Sequence, residues 1–265
     1  MPELPEVETI RLQLNKAIKG LKITGIEILR AKNFIGNPNL AIGKEVLGVE
    51  RRAKITLIKL EDGLFLAIHL KLTGQLIFDA DFDRQYTRVI ITLSNHKKLY
   101  FNDLRAFGWI KIIKNNLDLE KTGPEAINKK EFSSKYFQNI LSKSNREIKL
   151  ILLDQKLLAG IGNIYANEAL FLAKINPLLP AKQLTNVAAK QLRLSIIFVL
   201  NEAIKHHGTS DRDEAYRQLS GEKGQHQSYL QVYGRAGQPC RECGAAINRV
   251  SVGGRGTFFC PKCQR

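Results

Sequence analysis

The stretch Cys240-Arg241-Glu242-Cys243, followed 16 residues later by Cys260-Pro261-Lys262-Cys263, holds all four cysteines of the 265-residue chain. Two residues between thiolates let a tight turn aim both sulfurs at one tetrahedral ion. A β-hairpin then brings the second pair opposite the first. Gly253, Gly254 and Gly256 supply the turn residues of that hairpin. The rival readings are two disulfides in an exported protein or a pair of redox thiols. The first ten residues carry Glu3, Glu6 and Glu8 and no Lys or Arg, the reverse of a secretory start. Redox chemistry does not need two symmetrical pairs. One structural Zn²⁺ held by Cys240, Cys243, Cys260 and Cys263 is therefore expected, and four thiolates leave it no open coordination position. Arg255 sits among the hairpin glycines, where backbone can approach a phosphate closely; a solvated surface arginine is the equal alternative.

Upstream of the cysteines the period is helical. Ala188, Leu192, Ile196, Val199, Leu200 and Ala203 form an apolar stripe on a long helix over about 185–207, with Gly208 just past its end. Residues 148–158 and 163–174 make two further helical segments, and Pro177 to Pro180 separates them from the long helix. Between them, Leu158-Ala-Gly160-Ile-Gly162-Asn163 reads as a turn in which Asn163 caps a helix starting at Ile164. Amides at such a helix start suit a phosphate, although a tight turn between packed helices explains the glycines equally well. Residues 209–228 are polar and without period, which reads as a mobile loop.

The N-terminal half reads differently. Val7, Ile10, Leu14, Ala17 and Ile18 lie on one helical face that ends at Gly20. Alternating runs follow: Ile23 to Ile28, Ile55 to Leu60, Leu64 to Leu72, Val89 to Leu93, Leu99 to Phe101 and Trp109 to Ile113. Turn signals stand at Asp62-Gly63 and Ser94-Asn95. The links are too short for crossover helices, so the sheet is expected to be antiparallel. Residues 115–130, with Gly123-Pro124 inside, read as a linker.

Lys plus Arg number 41 and Asp plus Glu 25, a formal charge of +16 with pI near 9.7. That balance points to a polyanion or an anionic surface, and a solvated lysine-rich surface would produce it as well. No run of 18 apolar residues exists, so no membrane helix is expected. The chain reads as soluble and intracellular.

Met1-Pro2-Glu3-Leu4-Pro5-Glu6-Val7-Glu8-Thr9 is an unusual start. A small residue at position 2 favours removal of the initiator methionine, which would expose a secondary amine on Pro2. An α-amino group has a reference pKa of about 7.7–8.0, so a neutral fraction exists near pH 7. Attack by such an amine on a sugar C1′ gives an iminium that has no N–H proton to lose. The cation acidifies the C2′ hydrogens and promotes elimination of the 3′ phosphate. Glu3 could supply acid or base and Lys54 a second proton carrier. A capped, rigid chain start is the bland alternative.

Taken together, the Met-Pro-Glu-Leu-Pro-Glu start, the segment from Ile148-Lys149 to Leu170 and the terminal four-cysteine finger resemble the formamidopyrimidine-DNA glycosylase family. The resemblance runs through essentially the whole chain. It implies an α+β, two-domain fold: an N-terminal antiparallel β-sandwich with flanking helices, and a C-terminal helix–two-turn–helix bundle with a four-cysteine zinc finger. DNA is expected in the cleft between them. The expected divisions are a catalytic sandwich over 1–114, a linker over 115–130, a DNA-binding domain over 131–235 with a lesion-recognition loop at 209–228, and the finger over 236–265.

Carried across by motif, the resemblance implies that Pro2 is the nucleophile and Glu3 the acid assisting base loss. Lys54 matches a lysine implicated in proton transfer, and Arg255 one that grips phosphates and serves the second elimination. Asn163 matches a backbone-binding asparagine and Tyr233 a DNA contact; Glu6 and Lys149 match pocket residues, Lys149 counting also as a DNA contact. His69 and Leu72 lie in a motif that usually has Met where this chain has Leu72. Arg105 and Phe107 match a wedge whose second common arginine is replaced by Ala106, and Arg88 stands in for a histidine-containing stretch as a phosphate contact. The expected activity is a base-excision glycosylase and AP lyase for oxidised purines, acting on double-stranded damaged DNA as a cytoplasmic monomer. The family's Gly-Tyr-Phe is absent, since Gln225-His226 follow Gly224. That departure keeps a sister reading, the oxidised-pyrimidine preference of endonuclease VIII. A zinc-containing DNA-binding relative without catalysis is the other alternative, and retention of Pro2, Glu3 and Lys54 argues against it.

Overall fold

Leu4, Val7, Ile10, Leu14 and Ile18 are all buried along one face of α1 (Leu4–Ile18), the first element of the computed structural model. The structure describes residues 1–114, 122–210 and 216–265. Nine strands follow α1: β1 (Ile23–Ile28), β2 (Phe34–Ile35), β3 (Val46–Arg52), β4 (Ile55–Leu60), β5 (Leu64–His69), β6 (Gly74–Phe78), β7 (Thr87–Leu93), β8 (Lys98–Asp103) and β9 (Trp109–Lys114). They form one sheet in the order β2-β9-β5-β4-β3 and another in the order β1-β7-β8-β6. All neighbours are antiparallel except the two-residue β2, which runs parallel to β9. Val46, Ile58, Leu66 and Ile68 of the first sheet share a core with Leu76, Val89, Ile91 and Phe101 of the second, and α1 contributes Ile10, Leu14 and Ile18. Each such buried aliphatic side chain contributes about 1.5–3 kcal/mol.

The run expected over Leu64 to Leu72 is a strand only as far as His69, and the next strand begins at Gly74. Gly74 N–H donates to Leu70 O at 2.9 Å, and the chain turns there into the other sheet. The Asp62-Gly63 turn forms with both residues at positive φ, 57° and 69°.

The chain divides into two compact units, residues 1–120 with 204–227 and residues 121–203 with 228–265. This corrects the expected assignment of 209–228 to the helical domain. The physical reason is apolar. Tyr216 and Leu219 are buried in the sandwich core, Leu219 N–H donates to Gln13 Oε1 at 3.0 Å, and Phe78 N–H donates to Leu219 O at 2.9 Å. Of the described residues in the expected mobile loop, Tyr216, Gln218, Leu219, Gly224 and His226 are buried, and a short 3₁₀ turn, His226–Tyr229, closes the segment. Residues 211–215 of that loop, and 115–121 of the expected linker, lie outside the described residues.

The second unit holds α2 (Ser134–Ser142), α3 (Ile148–Leu153), α4 (Asn163–Leu172) and most of α5 (Asn186–Lys205). α2 has no counterpart in the sequence reading; Ser133 caps it, accepting the Tyr136 N–H at 3.2 Å. α3 is shorter than expected because Asp154 closes it, its carbonyl taking the amides of Leu157 and Leu158. Ile148, Ile151, Tyr165, Ala169, Leu192, Ile196 and Leu200 form its core. The finger hairpin, β10 (Asn248–Val252) with β11 (Arg255–Phe259), adds a small separate core of Phe171, Val232, Cys240, Ile247 and Cys260.

Candidate active site

In the first unit Pro2 and Glu3 are buried and lead directly into α1. Glu6, one turn on, reaches back so that its Oε2 accepts the Glu3 N–H at 2.7 Å. Its Oε1 accepts the Thr209 N–H at 2.8 Å. One carboxylate thus organises the chain start and the segment that follows α5. Gly208, at φ +77°, allows that approach: a Cβ there would stand 2.9 Å from Glu6 Cγ. Gly224 crosses the same point, where a Cβ would be 2.3 Å from Gly208 O, and His226 N–H donates to that oxygen at 2.9 Å.

Lys54 occupies the two-residue turn between β3 and β4 and is only 7% exposed. Ile55 beside it pairs with His69 at the end of β5. Burial, then the charges of Lys71 and Lys54, push the His69 imidazole down to about 3. The ring is therefore neutral near pH 7, and its Nδ1 accepts the Lys71 N–H at 2.9 Å.

Two loops leave the sandwich next to each other. One carries half-buried Leu72; the other, residues 103–108, carries Leu104, Arg105 and Phe107. They are bolted together by Asp103, which is fully buried and accepts the Thr73 hydroxyl and the Gly108 N–H, and by Thr73 Oγ1, which accepts the Arg105 N–H at 3.1 Å. Ala106 turns inward at φ +53°, leaving Phe107 52% exposed with the Arg105 guanidinium 5.0 Å from its ring centre. Arg88 Nε donates to Asp103 O at 2.9 Å, so this arginine braces the same loop. Nearby, a cavity of about 350 Å³ is lined by Thr73, Gln75, Asn102, Leu104, Arg217 and Gly221.

In the second unit, Gly162 is the N-cap of α4 and Asn163 its first residue, which corrects the expected capping role of Asn163. Asn163 Nδ2 instead donates to Gly256 O at 3.2 Å. Lys149 Nζ donates to the same oxygen at 2.8 Å and to Thr257 Oγ1 at 2.7 Å. Lys149 is fully buried, and its ammonium faces the finger hairpin. Gln155 shapes the turn before α4, accepting the Gly160 N–H at 3.0 Å and donating to Ile161 O at 2.8 Å. The two-glycine apex of the hairpin is Gly253-Gly254, at φ +54° and +73°, so Arg255 opens β11 rather than sitting at the tip, and its side chain is exposed.

Glu168 is an organising residue that sequence reasoning missed. Its carboxylate takes the amides of Gln231, Val232 and Tyr233 at 2.7–3.0 Å. Burial pushes its carboxyl above the usual range, and these amides oppose that shift. The segment so held places Tyr233 edge-on to Phe258, 5.1 Å between ring centres. The available signal was a glutamate which, with Asn167, interrupts the apolar run Ile164 to Leu172.

The four cysteine sulfurs lie within 4.8 Å of one another, with Cys243–Cys260 at 3.4 Å and Cys240–Cys263 at 4.0 Å. A tetrahedral zinc with bonds of about 2.3 Å requires sulfurs roughly 3.8 Å apart. Hydrogen bonding to Cys243 above all, with burial and the other two thiols, pushes the Cys263 thiol up to about 12. Four thiols this close favour a divalent cation that takes all four as thiolates. The residues fit one structural Zn²⁺, whose chemistry is to hold the finger's fold.

Three family models match successive parts of the chain. Residues 1–110 match the formamidopyrimidine-DNA glycosylase N-terminal domain, residues 122–214 the formamidopyrimidine-DNA glycosylase H2TH domain, and residues 237–265 the zinc finger found in FPG and IleRS. A formamidopyrimidine-DNA glycosylase from Pelotomaculum thermopropionicum is 42% identical, with 100% of this chain and 99% of the relative covered. The crystal structure of the MutM (FPG) protein from Thermus thermophilus superposes with a TM-score of 0.91 at 40% identity, covering 99% of this chain and 98% of that one. A Lactococcus lactis FPG mutant in complex with Fapy-dG-containing DNA gives 0.91 at 37% identity, with both chains covered fully.

Proposed function

This chain belongs to the formamidopyrimidine-DNA glycosylase family, and on that premise we propose that it excises oxidised purines through an iminium formed on Pro2. It is a base-excision DNA glycosylase with AP lyase activity. With Met1 removed, the Pro2 nitrogen attacks C1′ and the glycosidic electron pair leaves with the base, which takes a proton from Glu3. Pro2 then loses its own N–H proton, the ring C1′–O4′ bond breaks, and O4′ is protonated as the C1′=N⁺ iminium forms. Loss of a C2′ proton, carried by Lys54, expels the 3′ phosphate. A second elimination, served by Arg255, expels the 5′ phosphate, and water releases the sugar remnant from Pro2.

The observation that carries this reading is the buried Pro2-Glu3 pair at the start of α1, held by Glu6 through the Glu3 amide. Asn163, Tyr233 and Arg255 take the DNA backbone. Phe107, Arg105 and Leu72 enter the stack vacated by the extruded base, a step that costs a few kcal/mol. The finger's zinc site matches the four-cysteine family pattern and leaves no position for substrate. No described helix is long and apolar enough to cross a membrane; the enzyme works as a cytoplasmic monomer.

The test is borohydride trapping on duplex DNA with one abasic site, comparing wild type, Pro2→Gly and protein retaining Met1. An adduct mapped to Pro2 and lost when Met1 is kept supports the mechanism; no adduct from processed, zinc-loaded protein overturns it. The altered sequence Gly224-Gln225-His226 favours a second reading on lesion choice, a preference for oxidised pyrimidines. Rates on duplexes carrying 8-oxoguanine, formamidopyrimidine or thymine glycol decide between the two.

A further inference from the structure

β3 and β4 are joined by only two residues, because Arg52 pairs with Ile55 and leaves Ala53 and Lys54 as the turn. Ala53 adopts φ +52°. A two-residue hairpin with positive φ at its first turn position is normally built with glycine, since a Cβ disfavours that conformation. A residue held in a disfavoured conformation persists only where its surroundings over-determine it.

A guanidinium supplies that constraint. Arg51, two residues earlier, folds back so that its Nη1 donates to Ala53 O at 2.9 Å. Its Nε meets Glu8 Oε2 at 2.8 Å, and the arginine side chain is 6% exposed. Glu8 lies on α1, the helix that begins at Pro2-Glu3, and its other oxygen is held by Arg11 Nε and Nη2 at 3.0 and 2.7 Å. The Ala53 carbonyl belongs to the peptide that launches Lys54. Fixing that oxygen fixes the plane from which the Lys54 side chain departs.

We propose that Arg51, oriented by Glu8, is a positioning residue that holds Lys54 in register with the amine end of α1 through the Ala53 carbonyl. The catalytic part of this inference rests on the role given to Lys54 above; the geometric part does not. An ion pair that merely ties β3 to α1 would lower stability when broken and leave Lys54 where it is. Positioning predicts a local change at Lys54 in a protein that remains folded.

Two readouts on zinc-loaded full-length protein separate these cases. The first is the rate at which acetic anhydride labels Lys54 relative to the other lysines, read by peptide mass spectrometry. The second is the elimination rate on a preformed abasic site. Arg51→Gln is expected to raise relative Lys54 labelling and to lower elimination, each about tenfold, as the turn leaves its disfavoured conformation. Adding Ala53→Gly, which adopts positive φ without cost, is expected to restore most of both. Glu8→Gln, the milder variant, moves both in the same direction. Combined with Lys54→Gln, Arg51→Gln is expected to cause no further loss of elimination.

Unchanged Lys54 labelling in folded Arg51→Gln protein overturns the proposal, as do losses that multiply in the double variant. If Lys54→Gln alone leaves elimination intact, the catalytic reading of Lys54 falls. Labelling then still decides whether Arg51 positions the residue.

Discussion

The Lys149 ammonium lies 2.8 Å from the carbonyl oxygen of Gly256, 107 residues away in sequence, and 2.7 Å from Thr257 Oγ1. A helix residue without exposed surface thereby seats the strand that begins with Arg255. Lys149→Met keeps the stem and removes the donor, so Thr257 Oγ1 loses its donor and Gly256 O keeps only Asn163 Nδ2, at a cost of about 1–3 kcal/mol. The expected outcome is a lower melting temperature with zinc retained. The second elimination should be slowed more than the first, read from the ratio of the two cleavage products on a sequencing gel.

Removal of zinc should act on the finger and spare the sandwich. A structural zinc contributes on the order of 10 kcal/mol to its module, and here Cys240 and Cys260 are also core residues of the finger. Treatment with a thiol-reactive mercurial and chelator is expected to abolish binding to abasic-site DNA. Re-addition of Zn²⁺ after thiol reduction should restore it. Full affinity in metal-free protein, measured by gel shift, would contradict this role.

Gly208→Ala places a methyl group 2.9 Å from Glu6 at a backbone angle of φ +77°. The left-handed conformation alone costs about 1–2 kcal/mol for a residue with Cβ, and the carboxylate must also move from the Thr209 amide. Glycosylase and lyase rates should both fall, because the same carboxylate holds the Glu3 amide. A melting curve with parallel assays on lesion and abasic duplexes checks the pairing.

His69 sets one acid limb of stability. Its pKa is pushed down to about 3 in the folded chain from a reference of 6.5, so between those values the unfolded chain binds more protons. Stability is then lost as pH falls from 6.5 toward 3, with a slope of at most about 1.4 kcal/mol per pH unit from this group. His69→Gln removes the proton site, and urea unfolding at about pH 5 and pH 7 should show a smaller difference for the variant than for wild type.

Phe107 is exposed and braced by Arg105. Phe107→Ala should leave stability within about 0.5 kcal/mol. It should slow excision of a paired lesion about 10–100-fold, equivalent to ~1.4–2.7 kcal/mol of barrier. Cleavage of a duplex whose site is already abasic should change much less, since the cost of unstacking the base is gone.

Much of this was readable from the chain. The cysteine spacing gives the metal site because local turn geometry dictates which sulfurs can converge, and the α1 stripe gives the buried face because a helix repeats every 3.6 residues. What escaped was decided by distant partners. Glu168 looks like a charge inside an apolar helix until the amides of residues 231–233 arrive. Nothing near Lys149 in the sequence announces its bonds to Gly256 and Thr257. The polar stretch after Gly208 has no period of its own, since Tyr216 and Leu219 dock as isolated plugs rather than as one face of an element.

Those two plugs make the first unit discontinuous in sequence, assembled from residues 1–120 and 204–227. A gene fragment ending at residue 114 would encode all nine strands of the sandwich but leave the sockets of Tyr216 and Leu219 open, and Gln13 and Phe78 without the Leu219 backbone. Ribosomal synthesis has the same constraint: the sandwich cannot be completed until the helices α2 to α5 have been made. The first unit therefore closes only after α2 to α5 have been made, and residues 228–265, which complete the second unit, follow later still.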